Sequence, residues 1–154
     1  MLRESGPAAR ARSHPGGLEL RYDLVPDFHA VRAALAEALH ELARLDLSDD
    51  DCGTVEIVLA EVLNNVVEHS VRAARIALRI TGADWSLRCS VTDDGEPMRR
   101  DLNRPPCAPD PEQLPEGGHG CHLIAALADD VRYSSSAGCN CVSFRISLSD
   151  GPTH

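Results

Sequence analysis

The sequence predicts an α+β domain, a two-layer α/β sandwich with helices on one face of a mixed, mostly antiparallel sheet. Three observations point there. Two pairs of alternating segments, 76–80 with 85–92 and 131–134 with 141–148, sit close enough in the chain to be hairpins rather than crossovers. Two amphipathic helical stretches follow one another with no strand between them. A third helical stretch arrives only after a long proline-rich connection.

Taken in order, residues 1–17 carry Arg, Gly and Pro but no apolar run, and read as a disordered tail rather than a signal peptide or a membrane span. The domain then occupies 18–149. Leu18, Leu20, Tyr22 and Leu24 alternate with Glu19, Arg21 and Asp23, the pattern of a half-buried strand. Pro26-Asp27 starts a helix with the apolar stripe Phe28, Val31, Leu35, Leu39 and Leu42. Ser48 caps a second helix whose first turn holds Asp49, Asp50 and Asp51, where the macrodipole favours carboxylates. This helix runs to about His69 and buries Val55, Val58, Leu59, Val62 and Val66. Ile76, Leu78 and Ile80 alternate in a second strand, and Trp85, Leu87, Cys89 and Val91 in a third that ends at Asp93-Asp94-Gly95. The connection from Glu96 to Gly118 contains six prolines and is long enough to be a lid or binding loop. A helix from about His119 to Ala128 and two strands complete the chain.

The 154 residues make about one domain. An apolar fraction of 43% supplies a core, and with only 3% aromatic residues that core must be aliphatic. Formal net charge is −9, which argues against direct nucleic-acid binding, since that runs on phosphate neutralisation. A single triphosphate needs no basic patch, because Mg²⁺ and a helix N-terminus can hold it. No apolar stretch is long enough to span a membrane. With no export signal, the six cysteines are expected to stay reduced in a cytoplasm.

Three stretches carry chemistry. In EIVLAEVLNNVVEHS, Glu61, Asn65 and His69 recur at i, i+4 and i+8 and share one stripe of the helix. Asn is a poor interior helix residue, so Asn64-Asn65 in mid-helix needs a reason. A carbonyl ligand for Mg²⁺ is one, with Glu61 placed to orient or deprotonate an attacking hydroxyl. A solvated helix face is the other. In SVTDDGEP a buried strand delivers Asp93, able to accept from an adenine amino group, and Gly95, which lets backbone approach the ring. An ordinary strand-ending turn has the same residues. In EGGHGCHLIAAL, Gly117, Gly118 and Gly120 expose amides at a helix start, which suits phosphates, although a flexible loop end looks alike.

Together, and in this order, these stretches resemble the anti-sigma regulatory factor serine/threonine kinases, small members of the Bergerat-fold (histidine-kinase-like, GHKL) ATPase superfamily. The resemblance covers residues 18–148. Its N box matches Glu61, Asn65 and His69, its first glycine box Asp93 and Gly95, and its second Glu116, Gly117, Gly118, Gly120 and Leu123. Its closing G-x-N matches Gly138 and Asn140. The resemblance implies ATP and Mg²⁺ as cofactors, with Asn65 holding the metal and Glu61 as catalytic base. Asp93 and Gly95 would receive adenine. His69, Gly117, Gly118, His119 and Gly120 would complete the nucleotide site. It further implies a cytoplasmic kinase that phosphorylates a serine on a STAS-domain anti-anti-sigma protein and sequesters a sigma factor or other output protein, as a homodimer. A module that keeps the pocket but acts by sequestration alone is the alternative. His119, Cys121 and His122 with Cys139 and Cys141 offer a zinc reading, but their spacing is not that of usual zinc sites, and buried apolar cysteines explain them better.

Overall fold

Alternation and turn chemistry build the sheet. The computed structural model describes residues 17–45, 47–69, 72–97 and 118–149, the side chains of residues 83 and 118–122 excepted. The strands are β1 (Glu19–Leu24), β2 (Ile76–Ala83), β3 (Ser86–Asp93), β4 (Asp129–Ser136) and β5 (Cys139–Ser147). They form one sheet in the order β1-β2-β3-β5-β4, and every pairing in it is antiparallel rather than mixed. Both hairpins expected from the sequence form. Each turns on two residues with positive φ, Asp84 and Trp85 (37° and 62°) and Ala137 and Gly138 (52° and 78°), the I′ geometry that matches strand twist. Trp85, expected at the head of the third strand, is therefore a turn residue. Its carbonyl instead accepts a hydrogen bond from Leu148 N at 2.9 Å.

The helices are α1 (Phe28–Leu42), α2 (Asp49–His69) and α3 (Gly118–Leu127). Asp27 caps α1 by accepting from Ala30 N at 2.8 Å, and Ser48, the cap read from the sequence, accepts from Asp51 N at 3.0 Å at the start of α2. The buried stripe of α2 is as read, with Leu63 added: Val55, Val58, Leu59, Val62, Leu63 and Val66 are essentially inaccessible. That of α1 is shifted. Val31 and Leu42 are buried, but Ala34 and Ala38 fill the inner face while Leu35 and Leu39 are only partly covered. Phe28 is 52% exposed. Side chains lean toward the helix N-terminus, so that of the first residue overhangs the packed layer.

Register lays the core out in rows on the covered face. Tyr22, Leu78, Val91, Val142 and Tyr133 stand side by side, and Leu20, Ile80, Cys89 and Phe144 form the next row. The helices close over these aliphatic rows. Among the described residues no helix is long and apolar enough to cross a membrane. The expected tail and most of the proline-rich connection, with Glu116 and Gly117, lie outside the described residues.

Candidate functional site

One row of the covered face breaks the aliphatic rule. Leu24 and Ile76 lead across the sheet to Asp93, Asn140 and Ser135, each directly opposite the next. Asp93 is 5% exposed and Asn140 1%. A buried carboxylate and a buried amide persist only if they are hydrogen-bonded, and these are. Asn140 Nδ2 donates to Asp93 Oδ1 at 2.9 Å, to Gly95 O at 2.9 Å and to Glu96 O at 3.1 Å. Two amide hydrogens are thus shared among three acceptors. On its other side, Asn140 Oδ1 accepts from Ser135 Oγ at 2.6 Å. The amide cannot be turned over, because its oxygen would then face a carboxylate and two carbonyls. Asp93 Oδ1 also accepts from Gly95 N at 2.8 Å, which folds the turn back on the carboxylate.

A second layer of restraint comes from Asp94. Its Oδ1 accepts from Ala74 N at 2.7 Å and Arg75 N at 3.1 Å, pinning the segment that leaves α2 to the turn that follows β3. The Arg75 and Ala74 amides, in that order, hold its carboxyl below the usual carboxylate range. Arg72 and Glu96 form an exposed ion pair at 3.5 Å across the same seam.

This seam fixes where α2 delivers its stripe. Asn65 is 5% exposed amid Val62, Leu63 and Val66, in the C-terminal half of the helix that leads through residues 72–75 into the Asp93 row. Glu61 and His69, one turn to either side, are half-buried. His69 Nε2 is occluded yet has no hydrogen-bond partner among the described residues; Glu68 Oε1, at 3.6 Å, is beyond hydrogen-bond length. The solvated-face alternative fails for Asn65, which is interior. At the far side, α3, which opens on Gly118 and Gly120, packs on α2 and hands its C-terminus to β4 at the end of the sheet remote from Asp93. Gly117 and the side chain of His119 lie outside the described residues.

The cysteine reading needs correction. Cys89 is buried, and burial pushes its thiol up to about 12. Cys139, however, is exposed and Cys141 half-buried, because β5 turns them to the face opposite Asn140, Val142 and Phe144. Among the described residues no cluster of three His, Cys, Asp or Glu side chains has metal-site geometry. Sequence reasoning singled out Asp93 and Gly95, which share one hydrogen-bonded turn, and Asn65, which lies in the interior of α2. It missed Asp94 and Ser135, whose partners stand on other elements, and it had Asn140 as a motif letter without its role.

A helix-covered antiparallel sheet thus carries an oriented carboxylate at the end of one central strand, and its longest helix carries an interior asparagine. The model of the histidine kinase-like ATPase domain family matches residues 24–146, and the chain belongs to that family. It is similar to the serine-protein kinase RsbW of Bacillus velezensis (26% identity over 104 residues) and of Bacillus subtilis (25% over 104 residues). These alignments cover 62% of this chain and 65% of each relative, so the chain spans about two thirds of the length of the curated relatives it matches. A solved structure of the RsbU and RsbW domains of a Mycobacterium tuberculosis protein has the same fold, with a TM-score of 0.60 at 20% identity, covering 85% of this chain and 32% of that one.

Proposed function

We propose that this chain, over residues 18–149, is an ATP-dependent serine protein kinase of the anti-sigma type. In this reading it acts in the cytoplasm, as a homodimer, on a STAS-domain partner, and sequesters a sigma factor or other output protein. The observation that carries the nucleotide part is the Asn140–Asp93–Gly95 network, which presents a fixed carboxylate where an adenine amino group can donate to it. The donor set suits ATP with Mg²⁺: an interior asparagine carbonyl, an occluded imidazole nitrogen with no hydrogen-bond partner among the described residues, and glycine amides at a helix start.

In this mechanism Asn65 would hold the Mg²⁺, and His69 sits one turn further along the same stripe. Gly95 keeps the adenine side open to close approach. Gly118, His119 and Gly120 at the head of α3, with Gly117, are the residues that would receive the phosphates. Glu61 accepts the proton of the substrate serine as that oxygen attacks. Bound Mg-ATP supplies the phosphoryl group and neutralises the charge that develops on it.

The test is incubation of the protein with ATP and STAS-domain proteins of the same genome, followed by mass spectrometry for phosphoserine. Phosphoserine that disappears in Glu61→Ala, with ATP binding intact by calorimetry, is the expected result. Nucleotide binding without any phosphoserine would instead assign a sequestration module. Asn65→Ala should abolish Mg-dependent nucleotide binding, and an unchanged affinity would remove the metal role.

A further inference from the structure

The face of the sheet turned away from the helices carries a charge pattern that the nucleotide chemistry does not use. Its central row reads Arg21, Arg79, Ser90, Ser143, Arg132 from β1 to β4, and the neighbouring row Glu19, Thr81, Arg88, Arg145, Asp129. Arg21 thus stands directly opposite Arg79, and Arg88 directly opposite Arg145. Like charges in that position are destabilising, so the fold carries two unfavourable pairs on one surface. The rim offsets part of this: Glu19 pairs with Arg79 at 3.1 Å, and Asp129 and Asp130 approach Arg145 at 3.7 and 3.4 Å. Arg21, Arg88 and Arg132 have no ion-pair partner among the described residues, and all three are exposed. Between Arg88 and Arg132, Ser90 and Ser143 line a shallow depression of about 480 Å³ that Asp130 also borders. This concentration of unpaired cations occurs in a chain of net charge −9.

From this charge complementarity we propose that the open sheet face docks an acidic segment of a partner protein. The spacing favours a segment over a small anion. Arg21 and Arg132, the unpaired cations of the central row, stand four strand spacings apart, about 19 Å, too far for one phosphate to bridge. Three unpaired cations are too few to hold a nucleic acid against the repulsion of the acidic remainder at physiological salt. Planar guanidinium groups on a rigid sheet match carboxylates in bidentate geometry, and the serine hydroxyls between them add donors.

The experiment is fluorescence anisotropy of the full chain with a labelled peptide of about ten residues, roughly 30 Å extended, alternating glutamate and serine. The same peptide with glutamine in place of glutamate is the comparison. The glutamate peptide is expected to bind, more weakly as salt rises, and to lose about tenfold or more in affinity in Arg88→Glu/Arg132→Glu. Arg88→Gln/Arg132→Gln should show a smaller loss in the same direction, and both variants should bind ATP as the parent does. Failure of the glutamate peptide to bind, equal binding of the glutamine peptide, or unchanged affinity in both variants would overturn the proposal. So would displacement by inorganic phosphate alone, which would mark a small-anion site. A dimer seen by light scattering and dissolved by the charge reversal would give the face to a second copy instead.

Discussion

Two carboxylates are buried beneath the helices, at opposite ends of the same layer, and they are held in different ways. Asp51, in the first turn of α2, receives Ser149 N on both oxygens at 3.1 and 2.9 Å and Ser149 Oγ on Oδ1 at 3.0 Å. Its bonds run to a single residue 98 positions away, and they fasten the end of the chain's last strand to the start of its longest helix. Asp93 is held through Oδ1 by an amide that is itself held by Ser135, and it lies in the turn with the half-buried Gly95. The first arrangement is a clasp. The second orients a group, with successive residues on three elements serving one oxygen. Burial alone does not separate structural from functional carboxylates; what receives the restraint does.

Four measurements press on that contrast. The largest effect is expected at Asp51. Asp51→Ala removes a charged acceptor from three contacts with Ser149 and should cost about 2–3 kcal/mol in urea denaturation, with nucleotide affinity of the folded protein unchanged. A loss of affinity would show that the two ends are coupled. Asp93→Asn keeps an acceptor for Gly95 N and Asn140 but changes what the site presents. It should weaken ATP binding by about 10- to 100-fold, or about 1.4–2.8 kcal/mol, with a smaller shift in denaturation midpoint than Asp51→Ala. The reverse ranking would make Asp93 a clasp as well. Asn140→Ala, which removes one donor from Asp93 without removing the carboxylate, should lie between, costing about 1–2 kcal/mol of stability and a few-fold in affinity. The smallest effect belongs to Asp94. Its carboxyl is held low, so its contribution is fully present above the ordinary carboxylate pKa and is lost as pH falls through the lowered value. Hydrogen exchange at the Ala74 and Arg75 amides should therefore accelerate in acid before the core amides do, and Asp94→Asn should blunt that pH dependence.

The fold was readable because its signals are local. Alternation in 76–80 and 141–148, the caps at Asp27 and Ser48, and the aliphatic stripe of α2 all lie within a few residues of one another. Asn65 and Asp93 were readable for the opposite reason: each is a residue that its own element would not choose. The rest needed register. Ser135 becomes part of the site only because β4 pairs with β5 in the register that sets it against Asn140. The arginines of the open face are ordinary polar positions of five separate strands until pairing lines them up. Ala34 and Ala38 escaped notice because a search for a stripe weights large side chains, while close helix packing favours small ones.

The hairpin turn at Asp84-Trp85 has a practical bearing on all of these measurements. Trp85 is the chain's single tryptophan, and it is half-buried at the far end of β3. Seven residue steps, about 23 Å, separate Ser86 beside it from Asp93. Its intrinsic emission should follow unfolding of the β2–β3 turn while staying indifferent to a nucleotide at the other end of the strand. The protein thus carries an optical reporter of its own integrity at a distance from its chemistry, and a spectral change on adding ATP would reveal motion transmitted along the whole sheet.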